Sequence, residues 1–383
     1  MVVAGLSGLP STNSRAAEAG QGDVERMVAR VIRPVMERYG IPGMAVGLVI
    51  KEQSYVCNYG LASKVTGRPV TNATLFEIGS DSKTFTATLA AYAQACGQLS
   101  LSDRASKYLP TLRGSSFDRV SLLNLGTHTS GGLPLQVPDD IRDNAQLVAY
   151  FQDWKPTYAP GAYRTYSNPS IGMLGMIAAN SMNGAFVALM EGKLFPWLGL
   201  KHTYLHVPEA EMGNYAQGYT AKDTPIRMAP GVLWAEAYGV RTTAGDLLRF
   251  VEANMGMLDL DGKLQQAISD THTGYYRIGA MTQDLIWEQY PYPVPLADLL
   301  AGNSAQVALE ANPATELNSP LPPQEAVLIN KTGSTNGFAA YVAFVPGKKT
   351  GIVLLANKTY PIAARVTAAY EILAQLNDGA AKN

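Results

Sequence analysis

A serine and a lysine three residues apart, Ser80 and Lys83, open an apolar stretch of this chain. At that spacing two side chains project from one face of a helix, about one turn apart. A serine hydroxyl is a poor nucleophile until a neighbour takes its proton. A lysine takes it when burial or nearby cations lower its pKa. Alone, Ser-x-x-Lys also describes a helix cap followed by a solvated lysine. Two further elements, met in order along the chain, change its meaning. Tyr166-Ser167-Asn168 supplies a phenol and an amide, and Lys331-Thr332-Gly333-Ser334 supplies a second ammonium beside a glycine.

An acyl-transfer site requires a nucleophile, a proton acceptor and donors for an oxyanion. Ser80 is the candidate nucleophile, placed just before a helix whose free N–H groups and dipole favour developing negative charge. Lys83 is the nearest base. Tyr166 is a second proton carrier, since two lysines favour a phenolate over a phenol that titrates near 10 in water. Asn168 can hold both an ammonium and a substrate amide. Gly333 lets a ligand approach the backbone, and Lys331 brings positive charge for a substrate carboxylate. The backbone N–H groups of Ser80 and Ser334 are the expected oxyanion donors. Which of Lys83 and Tyr166 is the base is a question of coupled titration that the sequence leaves open.

Other chemistries find no support. The 383 residues are 47% hydrophobic and 16% charged, a globular composition, with a net charge of −1. No basic surplus exists to neutralise a phosphate backbone, so nucleic acid is not an expected partner. No run of 18 apolar residues exists, so no membrane span is expected. His128, His202, His206 and His272 do not make a ligand set, and no metal or cofactor is expected. Cys57 and Cys96 read as small buried hydrophobes, with a single disulfide between them left open. A G-x-S-x-G elbow, a P-loop and a Rossmann glycine pattern are all missing.

The elements that must position these groups follow from periodicity. A helix is expected over Asp23–Tyr39, capped by Asp23, with Val24, Met27, Val28, Val31 and Val35 on one face and a kink at Pro34. Met44–Ile50 and Ser54–Leu61 read as paired strands. The helix after Ser80 runs from about Ser82 to Gly97, with Phe85, Leu89, Tyr92, Ala93 and Cys96 facing a core. Residues 100–260 read mainly as helices and loops, and 290–325 as an irregular excursion. Lys331 either precedes the strand starting near Phe338 or lies on a strand of its own. Phe338–Val345 and Thr350–Leu355 flank a hairpin turn, and Pro361 opens a last helix. Strands at both ends with helices between predict an α/β lobe, a helical lobe and a site in the cleft. Met1–Pro10 is only mildly apolar, has no Lys or Arg, and is broken by Gly and Pro. Ala17-Glu18-Ala19 resembles a cleavage site, so a trimmed or altered leader is expected.

Phe76–Phe85, Tyr166–Gly172 and Asn330–Phe338 resemble the class C (AmpC-type) serine β-lactamases, as do Gly132–Gln136 and Ala235–Gly239. The resemblance spans Asp23 to Leu376. It implies the serine β-lactamase/penicillin-binding-protein-like fold, α/β plus all-α: an antiparallel sheet flanked by helices, with a helical lobe. The implied division is an α/β domain from 1–75 and 205–383 and a mainly helical domain from 76–204. The implied function is hydrolysis of cephalosporins and penicillins through an acyl-enzyme on Ser80, with Lys83 and Tyr166 sharing proton transfer. Gln136 and Asn168 would contact the acylamide side chain and Tyr238 would wall the pocket. Lys331, Thr332 and, more distantly, Arg365 would favour the ligand carboxylate, and Ser334 would also contact the substrate. The expected setting is a monomer in a bacterial periplasm. Alternatives on the same serine are a D-Ala-D-Ala carboxypeptidase or an esterase. A different alternative is a non-catalytic β-lactam-binding protein disabled by Asp81. Three departures from the family pattern stand out. Asp81 replaces a small apolar residue, Trp234 an acidic one, and Ile362 an asparagine near the carboxylate site.

Overall fold

The computed structural model describes residues 12–380, with side chains described for 20–376. The expected leader over 1–20 falls almost entirely outside the residues whose side chains are described. The first helix, α1 (Thr12–Tyr39), extends beyond the cap expected at Asp23 and carries Pro34 within it. β1 (Gly43–Ile50) and β2 (Gln53–Gly60) form the expected hairpin. Then come α2 (Ser82–Ala95), α3 (Asn168–Ser181), the one-turn α4 (Trp234–Ala237) and α5 (Ala244–Asn254). The chain continues through β3 (Gly274–Ile278), β4 (Met281–Gln283), β5 (Glu288–Pro291) and β6 (Thr315–Leu321). It closes with β7 (Val327–Ser334), β8 (Ala339–Val345), β9 (Thr350–Ala356) and α6 (Ile362–Ala380).

Nine strands form one antiparallel sheet in the order β6-β3-β4-β5-β7-β8-β9-β1-β2. Period-two alternation sorts its two faces. Met44, Val46 and Leu48 pack with Val28 and Ile32 of α1 and Val366 and Ile372 of α6. Ala45 and Val49 face the other way, with Leu247, Leu248 and Val251 of α5. Gly47 lets that helix come close, since a Cβ there would meet Leu248 at 2.6 Å. One sequence expectation changes. Residues 290–325 are not irregular: they hold two short helices, Leu296–Gly302 and Ala305–Leu309, and the edge strand β6. Pairing with β3, broken by a register shift between Glu316 and Leu321, supplies hydrogen bonds that composition does not advertise. Lys331 lies on its own strand, β7, which pairs with β5 and β8.

Helix α2 is not amphipathic. It is buried on nearly every side, including Thr84, Thr86 and Thr88. Their hydroxyls are satisfied by carbonyls: Thr84 donates to Asp81 (2.7 Å), Thr88 to Thr84 (2.9 Å) and Thr86 to Glu236 (2.6 Å). Phe85 stacks on Phe250 of α5 at 4.0 Å, which ties α2 to the sheet layer. Helix α3 packs along α2 on the other side. No single described helix is long and apolar enough to cross a membrane.

Candidate active site

Ser80 sits in a 3-10 turn, Gly79–Asp81, immediately before α2. Gly79 has φ +52, and a Cβ there would lie 2.5 Å from the Ser334 carbonyl oxygen. A Cβ on Gly333 would lie 1.9 Å from the Ile78 carbonyl oxygen. Only glycine at both positions lets the nucleophile turn and the end of β7 lie in direct contact. That contact is what sets Ser80 beside Ser334, across most of the chain's length.

The proton-transfer groups converge beneath the serine. Lys83 is fully buried, and its Nζ donates to Ser80 Oγ (2.9 Å) and to the Ala237 carbonyl at the end of α4 (2.8 Å). Burial, aided by Lys331, brings the Lys83 ammonium down to about 8 against the pull of Tyr166 and Asp81. Tyr166 is held among cations. The Lys331 Nζ, Lys83 Nζ and Arg164 Cζ lie 5.0, 5.2 and 5.3 Å from its ring centre. Burial would raise the Tyr166 phenol. Lys331, Lys83 and the Ser80 hydroxyl outweigh it and bring the group down to about 8. Burial pulls the other way on Lys331 too, but Tyr166, Glu288 and Asp81 hold its ammonium above the ordinary lysine value. A hydroxyl, an amine and a phenol, the last two near neutral in proton affinity, are thus assembled for general acid–base work.

The cleft above them has a volume of about 520 Å³. Ser80, Gln136, Tyr166, Asn168, Tyr238, Lys331, Thr332 and Ser334 all line it. Asn168 Nδ2 donates to Gln136 Oε1 (2.8 Å), which leaves the Asn168 carbonyl oxygen unpartnered among the described residues. Ile362 lines the same cleft, adding an apolar side chain to its wall. A second cleft of about 820 Å³ adjoins it through Gln136, Asn168 and Tyr238, walled by Trp234 and Glu236. Trp234 is fixed there by the His206 ring at 5.2 Å and the Arg241 guanidinium at 5.2 Å. The Glu236 carboxyl is pushed up to about 7 by burial.

Arg365 does not reach the cleft. It is 1% exposed, and its guanidinium donates to the carbonyls of Gly333 (2.6 Å), Ala340 (3.1 Å) and Tyr360 (2.7 Å) and to Ser334 Oγ (3.1 Å). It therefore braces the end of β7 rather than touching a ligand, because a buried guanidinium spends its donors on the nearest carbonyls. Cys57 and Cys96 are free thiols. Among the described residues no group of three or more His, Cys, Asp or Glu side chains could hold a metal ion.

Three participants escaped the sequence reading. Arg164 and Glu288 form a buried ion pair at 2.7 Å, with Arg164 also donating to Gln283 Oε1 (2.6 Å) and the Val307 carbonyl (2.9 Å). His128 packs its ring 4.4 Å from that of Tyr166. Its Nδ1 accepts the Ser167 N–H (3.2 Å), and burial plus the charges of Arg164, Lys83 and Lys331 keep the imidazole neutral. The one available signal was position: Arg164 stands two residues before Tyr166. Nothing local pointed to Glu288 or His128.

An antiparallel sheet flanked by helices, with Ser, Lys, Tyr and a second Lys gathered beside its central strand β7 and a helical layer, defines the penicillin-recognising serine-hydrolase architecture. The β-lactamase family profile matches residues 28–377. The chain belongs to the β-lactamase family, among its class C (AmpC-type) serine enzymes. It is 53% identical to a β-lactamase of Lysobacter lactamgenus, over 94% of this chain and 92% of that protein. A class C β-lactamase solved in complex with cefoxitin has a TM-score of 0.91 and 54% identity, over 93% of this chain and 99% of that one. The D-alanine carboxypeptidase AmpC from Burkholderia cenocepacia has a TM-score of 0.89 and 57% identity, over 92% and 99%.

Proposed function

We propose that this chain hydrolyses the β-lactam ring of cephalosporins and penicillins through an acyl-enzyme on Ser80. One observation carries the reading: the buried Lys83 ammonium-forming nitrogen lies 2.9 Å from Ser80 Oγ, with the Tyr166 ring between Lys83 and Lys331. In acylation the Ser80 proton passes to Lys83 or Tyr166 as Oγ forms a bond to the lactam carbonyl carbon. The oxyanion is received by the N–H groups of Ser80 and Ser334. The C–N bond then breaks and the proton passes to the lactam nitrogen. In deacylation the same groups take a proton from water, which attacks the ester carbonyl and returns Ser80. Lys331, Thr332 and Ser334 favour the ligand carboxylate, with Arg365 bracing them from behind. Gln136 and Asn168 contact the acylamide, and Tyr238 forms a wall. The two-lobe division, 1–75 with 205–383 against 76–204, a monomeric state and a periplasmic setting belong to the same reading. So does a role in resistance to these antibiotics.

Turnover of a chromogenic cephalosporin and of a penicillin tests this, with Ser80→Ala as control. Hydrolysis by the wild type alone supports it, and absence of hydrolysis with either substrate overturns it. A second reading is supported by the neighbour named as a D-alanine carboxypeptidase: release of D-alanine from an acyl-D-Ala-D-Ala peptide. That activity is measured on the same preparation by assaying free D-alanine.

A further inference from the structure

Asp81 follows the nucleophile directly, and its carboxyl group is almost completely buried at 1% exposure. Neither of its oxygens has a hydrogen-bond partner among the described residues. The turn packs against α2, β7 and β8. The charged groups that act on its carboxyl, strongest first, are Lys331 of β7, Arg365 of α6, Lys83 of α2 and Glu288 of β5, and Tyr341 of β8 feels its charge in turn. No cation closes an ion pair with it among the described residues: the Lys83 Nζ is turned to Ser80 and Ala237, the Lys331 Nζ to the Thr332 carbonyl, and the terminal nitrogens of Arg365 to carbonyls and Ser334. Distant positive charge does not replace a lost hydration shell, so an acid in this setting favours its neutral form.

We propose that Asp81 is a proton-carrying positioning residue for acylation: protonated, it leaves Lys83 free to act as base, and ionised, it holds Lys83 as an ammonium and closes the alkaline side of the reaction. The inference rests on the acyl-transfer reading of Ser80 and Lys83. Only a proton moves. Asp81 releases one to solvent as pH rises, and the carboxylate left behind strengthens the hold of Lys83 on its own. The same negative charge opposes the oxyanion that forms one residue away, at the Ser80 N–H. Burial supports this direction, pushing the Asp81 carboxyl up to about 8 against Lys331, Arg365 and Lys83, into the range where Lys83 and Tyr166 titrate.

The test is the pH profile of kcat/KM for a chromogenic cephalosporin, from about pH 5 to about pH 10, in the wild type, Asp81→Asn and Asp81→Val. The alkaline midpoint is expected to move up by about 1 unit or more in both variants, the scale of one neighbouring charge. Coincident profiles, or a shift of the acid limb alone, overturn the proposal; the latter means a carboxylate ionised throughout. Infrared difference spectra between wild type and Asp81→Asn give a direct readout. A protonated-carboxyl C=O band at neutral pH that vanishes on alkalinisation supports the assignment, and a carboxylate band at neutral pH overturns it. If Asp81→Asn does not fold, the difference spectrum between wild type and Asp81→Val assigns the band, since the Glu236 carboxyl also titrates near neutrality. If the wild type turns over no β-lactam, the functional reading fails, and the infrared band still decides how Asp81 is protonated.

Discussion

Ser80, Lys83 and Tyr166 act as a unit, so removing any one should cost most of the rate. Ser80→Ala is expected to lower kcat on the order of 10⁴–10⁶-fold and to abolish the covalent adduct. Mass spectrometry after β-lactam exposure and a thermal melt check that the loss is chemical rather than structural. Tyr166→Phe is expected to cost about 10²–10⁴-fold, the range for one proton-transfer group. Asp81 has an opposite signature, because its burden falls on stability. Its proton affinity is higher folded, about 8, than unfolded, 3.8. Its contribution to stability is therefore fully present below about pH 4 and lost as pH rises towards about 8. Replacing it by valine should stabilise the protein by about 1–3 kcal/mol, the scale of a buried unsatisfied polar group. The gain should be larger at about pH 8 than at about pH 5. Thermal melts of the variant and wild type at the two pH values measure it, and equal gains at both would rule out a titrating Asp81.

At the scale of elements, the site depends on how closely the turn before α2 meets β7. Gly79 and Gly333 are the two places where that contact excludes a side chain. Gly333→Ala should push the strand end away from Ile78 and displace the Ser334 N–H from the oxyanion position. A loss of about 10²–10³-fold in acylation rate is expected, the cost of one oxyanion donor. Single-turnover kinetics measure it. Arg365 should show the same dependence from the other side of the strand, since it holds the Gly333 carbonyl and Ser334 Oγ together. The helix α4 contributes through its C-terminal carbonyl at Ala237, the second acceptor for Lys83. A lysine shared between a hydroxyl and a carbonyl keeps its nitrogen aimed at the nucleophile.

At the scale of the molecule, the Arg164–Glu288 pair joins the segment just before Tyr166 to strand β5 of the sheet. Both side chains are buried, so breaking the pair leaves a charge without a partner. Arg164→Ala should destabilise the protein by about 3–5 kcal/mol. Replacing both partners with apolar residues of similar volume should cost much less, as denaturant unfolding of the single and double variants would show. Arg164→Ala alone should raise the proton affinity of Tyr166, because one of the three cations around its ring is lost while the Glu288 carboxylate stays.

The order of the chain's reactive residues and the period of its apolar ones are local properties, so the sequence alone announced the nucleophile, both lysines, the phenol, the terminal strand pairs and α2. Gln136, Asn168, Tyr238, Thr332 and Ser334 were carried by motif and all line the cleft. What folding decided was environment. Burial lowers the proton affinity of Lys83, and the charges of Lys331 and Lys83 lower that of Tyr166 against the effect of burial. Arg365 turned inward because carbonyls lay nearer than the cleft. Edge strand β6 was hidden because its partner β3 lies far back along the chain. Arg164 and Glu288 gained their places through their contact with each other, and His128 through its contacts with Tyr166 and Ser167. Spacing along a chain records which groups exist, whereas dielectric and Coulomb terms depend on what surrounds each group in three dimensions, and only the tertiary structure sets that.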